Sequence, residues 1–192
     1  MLNSLLGTLS SGVAASTSSY ESIASATGTG SSSTISLTSI PSTYASLQIR
    51  ATFKTTGTGF YGDDLILRPN SDTGSNYAWH ILKGNGSAAS ASGVASTTSM
   101  RCGYAFSSDS ALTNRVFTAI VDIHDYASTT KYKTVRVFSG GDANIADTSF
   151  QVFLTSGLWQ STSAITSLTF STSAALNFTS ATQVALYGIK GA

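Results

Sequence analysis

Charge is what this sequence lacks most. Lys, Arg, Asp and Glu together make up 10% of its 192 residues, against roughly 25% in an average globular chain. Ser, Thr, Ala and Gly stand where Lys and Glu would normally sit, so the surface is neutral and rich in hydroxyls. With a net charge of +1 there is no basic field to neutralise phosphates, and neither nucleic acid nor an anionic membrane is an expected partner. Cys102 is the only cysteine, which excludes an internal disulfide and a thiolate metal cluster and fits assembly in a cytosol. Glu21 is the only glutamate and His80 and His124 are the only histidines, which leaves little material for acid–base chemistry. The sequence contains no GxSxG elbow, HExxH or CxxC. No apolar run approaches the roughly 18 residues a membrane helix needs. No Lys or Arg precedes Arg50, so the positive region of a secretory signal is missing.

What remains is a chain of short β-rich runs separated by Gly, Ser and Asn. The central one is a hairpin, Val116 to His124 and Lys131 to Phe138, joined by the polar segment Asp125 to Thr130. On its first arm Phe117, Ala119, Val121 and Ile123 share one face, while Val116, Thr118, Ile120 and Asp122 share the other. Both faces are largely apolar, so this strand is expected to be covered on both sides, by a second sheet or by a neighbouring subunit. The alternation of Leu47, Ile49, Ala51 and Phe53 with Gln48, Arg50, Thr52 and Lys54 marks another strand.

Further strands are expected at Tyr20 to Thr27, Thr34 to Leu37, Leu65 to Leu67, Tyr77 to Leu82 and Met100 to Phe106. Ser149 to Leu154, a short strand or edge at Leu176 to Phe178 and Gln183 to Lys190 follow, the last inserted within a sheet, while Leu158, Trp159 and Ala164 to Phe170 supply apolar and β-branched residues near the end of the sandwich. Between Lys83 and Ser99 lies a long small-residue segment without periodicity, which reads as a binding loop or a stretch ordered by a partner. The whole predicts an all-β protein, an antiparallel β-sandwich of jelly-roll-like form over 20–192. Residues 1–19 precede it as a short arm, whose Leu2, Leu5, Leu6 and Leu9 suit one helical face for docking on a partner, the alternative being a disordered terminus. Low charge with 41% hydrophobic residues suits a protein packed against others.

The candidate reactive groups each carry a plainer reading. Ser with His124 and Asp122 or Asp125 is the arrangement to test for a hydrolytic triad, yet serines are so abundant that any histidine has one nearby. Asp63, Asp64, Asn70 and Asp72 could offer oxygens to Ca²⁺, and Asp142, Asn144 and Asp147 imitate a calcium loop that lacks its bidentate Glu. Solvated turns account for both sets. Trp79, Trp159, Tyr77, Tyr104 and Tyr126 could stack on sugars if they lined one face, but core packing is the expected use. No catalytic, cofactor-binding or metal-binding residue is assigned, and no cofactor is expected.

One ordered set of segments goes further: SYESIASAT at 19–27, SIPSTYASLQIR at 39–50, DTGSNYAWHILKGNGS at 72–87, VDIHDYASTTKYKTVR at 121–136, LWQSTSAITSLTF at 158–170 and ALYGIK at 185–190. As a set it resembles small virion proteins encoded among the structural genes of tailed bacteriophages, including cyanophages. The resemblance implies a β-sandwich structural subunit of the virion, assembled in the host cytoplasm, without catalysis. It suggests a capsid decoration or cement protein bound to the major capsid protein or other virion proteins. The alternative is a tail, neck or appendage subunit, including a carbohydrate-binding module for host recognition. A homo-oligomer is implied, with a trimer favoured over a dimer because decoration proteins commonly occupy local three-fold positions.

Overall fold

The hairpin at the centre of the sequence is also the centre of the molecule. A computed structural model describes residues 18–145 and 150–191. Its strands are β1 (Tyr20–Thr27), β2 (Ile35–Leu37), β3 (Ser46–Phe53), β4 (Gly62–Pro69), β5 (Tyr77–Gly84), β6 (Ala89–Thr97), β7 (Met100–Phe106), β8 (Phe117–His124), β9 (Lys133–Gly140), β10 (Val152–Trp159), β11 (Leu168–Thr172) and β12 (Gln183–Ile189). The described residues contain no α-helix, only one 3-10 turn at Ser110–Leu112. Pairing is antiparallel throughout both sheets. The larger sheet runs β1-β12-β3-β8-β9-β10-β5-β6 and the smaller β2-β11-β4-β7. The expected antiparallel sandwich is therefore the fold.

Strand alternation explains how the two sheets close on each other. Along β8 the odd residues Phe117, Ala119, Val121 and Ile123 are buried and the even ones face outward. Across the hairpin Val121 pairs with Val137 and Ile123 with Val135, so the same face of β9 is apolar. The smaller sheet answers with Ile35, Leu37, Leu65, Leu67, Leu168 and Phe170, all within the same core. Next to it Phe117, Phe106, Phe150 and Phe153 form a second cluster with edge-on and tilted ring contacts. Where β10 packs on β7 the Met100 side chain fills the space beside Gly157: a Cβ there would stand 2.5 Å from the Met100 sulfur.

Several sequence expectations change in detail. Residues 83–99 are not a loop: Asn85 to Ala88 make a tight turn and β6 follows as an edge strand. Its residues are exposed almost throughout, so neither face selects apolar side chains and the period-two signal is absent. The expected strand ending at Leu154 continues to Trp159, and β4 extends three residues either side of the Leu65 to Leu67 core, bar one at its far end. Leu176 to Phe178 contributes only an isolated bridge between Thr55 and Phe178. β12 is inserted as expected, between β1 and β3. The docking arm expected at 1–19 lies outside the described residues up to residue 17.

Candidate interaction surface

The inner face of β8 and β9 is covered by the smaller sheet; among the described residues nothing covers the outer face. Register places Ile120 opposite Phe138, Phe138 opposite Leu154, and Leu154 opposite Leu82. These four side chains form one straight row across four strands, spanning about 15 Å at the usual inter-strand spacing. They remain 41%, 59%, 56% and 54% exposed in that order. Val152, opposite Gly84 and Gly140, widens the row by one register step and is also exposed. Outward positions of a solvated antiparallel sheet normally carry polar residues. A contiguous apolar row of this kind makes this face the candidate contact surface.

The surface is concave on both sides of the row. One depression of about 760 Å³ is lined by Ile120, Phe138, Val152, Thr118, Arg50 and Ala185. A second, of about 690 Å³, is lined by Leu82, Leu154, His80, Arg136, Ala91 and Ser156. Phe138 and Leu154 stand between them as a ridge. Polar groups edge the row. Arg50 stands opposite Ile120 at its β3 end; its Nε donates to Gln48 Oε1 at 2.9 Å, and on the next register step Gln48 Nε2 donates to Asp122 Oδ1 at 2.8 Å. Arg136 sits opposite Asp122, and the Arg50 guanidinium lies over the rings of Tyr20 and Tyr187. An apolar centre with a polar, charge-balanced rim is the usual anatomy of a protein–protein contact.

The residues singled out for chemistry are engaged elsewhere. Asp63 accepts from the Ser173 hydroxyl and from Ala174 N, and Asp64 pairs with Arg101. Burial raises the Asp64 pKa and the Arg101 charge partly offsets it. Asn70 Oδ1 accepts from Thr166 N and Ser167 N, tying β4 to the connection before β11. His124 stands exposed at the end of β8, while Asp122 is held by Gln48 and Asp125 by Lys131 at 3.0 Å. Asp142 accepts from Asn144 N within its own turn, and Asp147 lies outside the described residues. No group of three His, Cys, Asp or Glu side chains gathers at metal-binding distance among the described residues. Burial pushes the Cys102 thiol up to about 12, so it stays protonated and inert at neutral pH.

The aromatic candidates are core residues. Tyr77, Tyr126 and Trp159 are buried, and Trp79 and Tyr104 pack half-buried on the second cluster. Tyr126 Oη donates to Pro41 O and accepts from Tyr44 N, holding the turn before β3. Trp159 Nε1 donates to Asp72 Oδ2 at 2.7 Å, and Asn76 Nδ2 and Gly74 N donate to the same carboxylate. The Trp159 hydrogen bond is the main cause of a lowered Asp72 pKa.

A depressed carboxyl pKa stabilises the fold above the ordinary carboxylate range, and that contribution is lost as pH falls through the folded-state value. Asp72→Asn keeps one acceptor oxygen where two are used. It should cost about 1.5 kcal/mol at pH 7, the low end for hydrogen bonds to a charged group because the carboxylate is partly exposed. The deficit should shrink below about pH 4, as read by urea unfolding followed through Trp fluorescence across pH. A pH-independent deficit would contradict this account.

Nothing in the sequence pattern pointed to the outer row as a site, although Ile120 and the apolar second face of β8 hinted at it. Its other members come from β5, β9 and β10, which only strand order brings together. No family model matches the chain, no curated protein is detectably similar to it, and no solved structure matches its fold.

Proposed function

We propose that this protein is a structural subunit of a phage virion, a capsid decoration or cement protein that binds the major capsid protein as a homo-oligomer. It works without catalysis. The sequence resemblance supplies the particle, and one observation supplies the means: the exposed row Leu82, Leu154, Phe138 and Ile120 on the outer face of the larger sheet. A cement protein stabilises a shell by removing apolar surface from water across the seams between shell proteins. Such a role needs a rigid platform, and a sandwich whose inner face is sealed by a second sheet offers its outer face as one.

Counting copies in purified particles of the encoding phage tests the reading. A decoration subunit should be present in hundreds of copies, and stripping it should lower the temperature at which the genome escapes. A handful of copies confined to the tail or neck would replace the decoration role by an appendage role. Absence from particles would remove both.

A further inference from the structure

The two sheets have four edges between them, and three are blocked in the ways that keep strands from pairing with other chains. β1 shifts register between Ser22 and Ala24 and carries Glu21, ion-paired to Lys190 at 3.0 Å. β2 is three residues long. β7 is largely buried, shifts register against β4, bears the Arg101 charge and bends at Gly103, whose φ is 112°.

β6 has none of these devices over most of its length. Its nine residues, ASASGVAST, contain no charge and no proline, and all but Thr97 are exposed. It pairs with β5 on one side only. The single irregularity lies at its far end, where Ser96 has a φ of 55° and the register shifts between Tyr77 and Trp79. Among the described residues nothing pairs with or covers the far side of residues 89–94, which form a regular edge.

We propose that this edge is a dimerisation site, pairing antiparallel with the same strand of a second copy about a two-fold axis at Ala91. Strand parity requires the axis to pass through a residue, and Ala91 is the residue of this stretch that continues the outer row, opposite Leu82. On β6 Ala91 lies opposite Leu82 and Gly93 opposite His80, both outward residues of β5, so Ala89, Ala91 and Gly93 face outward and Ser90, Ser92 and Val94 face the other way. A two-fold axis normal to the sheet keeps both outer faces on one side and pairs only residues of equal parity. Centred on Ala91 it sets Ala91 against Ala91 of the partner subunit, Ala89 against Gly93 of the partner subunit, and Ser90 against Ser92 of the partner subunit. Small residues meet small residues, serine hydroxyls meet across the strands, and no like charges are opposed.

A consequence joins this site to the outer row. Ala91 is the next position after Leu82 in that row, so the axis makes one line of ten apolar side chains across ten strands, about 43 Å long. Where the row docks on a shell, a reading that rests on the proposed function, the dimer would dock bivalently and gain in avidity.

The test uses the full chain in analytical ultracentrifugation over a concentration series. The wild type should sediment as a dimer at high concentration and dissociate on dilution. Ser90→Lys with Ser92→Lys sets lysine against lysine twice, and should weaken the dimer at least about tenfold at low salt and less at high salt. Ser90→Glu with Ser92→Lys sets opposite charges face to face in both pairs and should restore dimer affinity to within about threefold of wild type. A wild type that stays monomeric or forms a trimer overturns the proposal, as does a double-lysine variant that dimerises normally or a charge-swapped variant that is not rescued. Phe138→Asp should leave this dimer intact, so failure of the edge and failure of the docking row are read separately.

Discussion

A chain carrying Phe138→Asp and Leu154→Asp should fold as the wild type does but no longer decorate particles. Both side chains point outward from central strands of the larger sheet and stand opposite each other in register. They are 59% and 56% exposed, so their removal takes nothing from the core, and two like charges opposed across neighbouring strands should cost the fold no more than about 1 kcal/mol. At an interface the same two positions would be central and desolvated. Two carboxylates placed there without partners should lower affinity more than about 100-fold. Particles lacking the protein, incubated with purified wild-type or variant chain and quantified for bound copies, provide the measurement. Phe138→Leu, which keeps the site apolar, should decorate nearly normally. A double-aspartate variant that coats particles as the wild type does would move the docking surface elsewhere.

The second large effect concerns stability and one buried cation. Lys133 opens β9 on its inward parity and is fully enclosed. Its ammonium donates to Ser128 O at 2.6 Å, Lys131 O at 2.9 Å and Ser161 O at 3.2 Å, and lies 5.9 Å from the centroid of the Trp159 ring. Three donors thereby satisfy three carbonyls that belong to the hairpin turn and to the connection after β10. Burial pulls the Lys133 pKa down and the Asp125 charge partly restores it. Lys133→Met preserves the stem but leaves those carbonyls desolvated and unpaired. It should cost about 3 kcal/mol or more. A urea unfolding midpoint shifted down at unchanged slope would report this, and a variant as stable as the wild type would show that the carbonyls find water instead.

The readings that held are those in which a local pattern meets a single environment. Leu47, Ile49 and Phe53 alternate with polar residues because one side of β3 faces the core, and the alternation is visible at once. The last strand, β12, read as inserted because it is apolar on both faces, and it lies between β1 and β3. β6 defeated the pattern because both its sides are wet, leaving no face to select hydrophobic residues, so Ala and Ser read as a loop. The calcium and triad candidates were ambiguous in sequence because Asp and Ser serve turns and caps as readily as ligands. Asp63 proved to cap the Ser173 turn, and Asp72 to anchor Trp159 from 87 positions away.

The all-β class, the hairpin about residues 125–130 and the neutrality of the surface all follow from the order of residues alone, since composition and period two need no knowledge of neighbours. The outer row and the unguarded edge do not. Leu82, Ile120, Phe138 and Leu154 are 16 to 38 residues apart from one to the next in the chain. They meet because β10 lies between β9 and β5 in the larger sheet. Side-chain parity then carries the consequence to the opposite face: burying Val137, Phe153 and Ile81 inward turns Phe138, Leu154 and Leu82 out toward whatever the sheet meets.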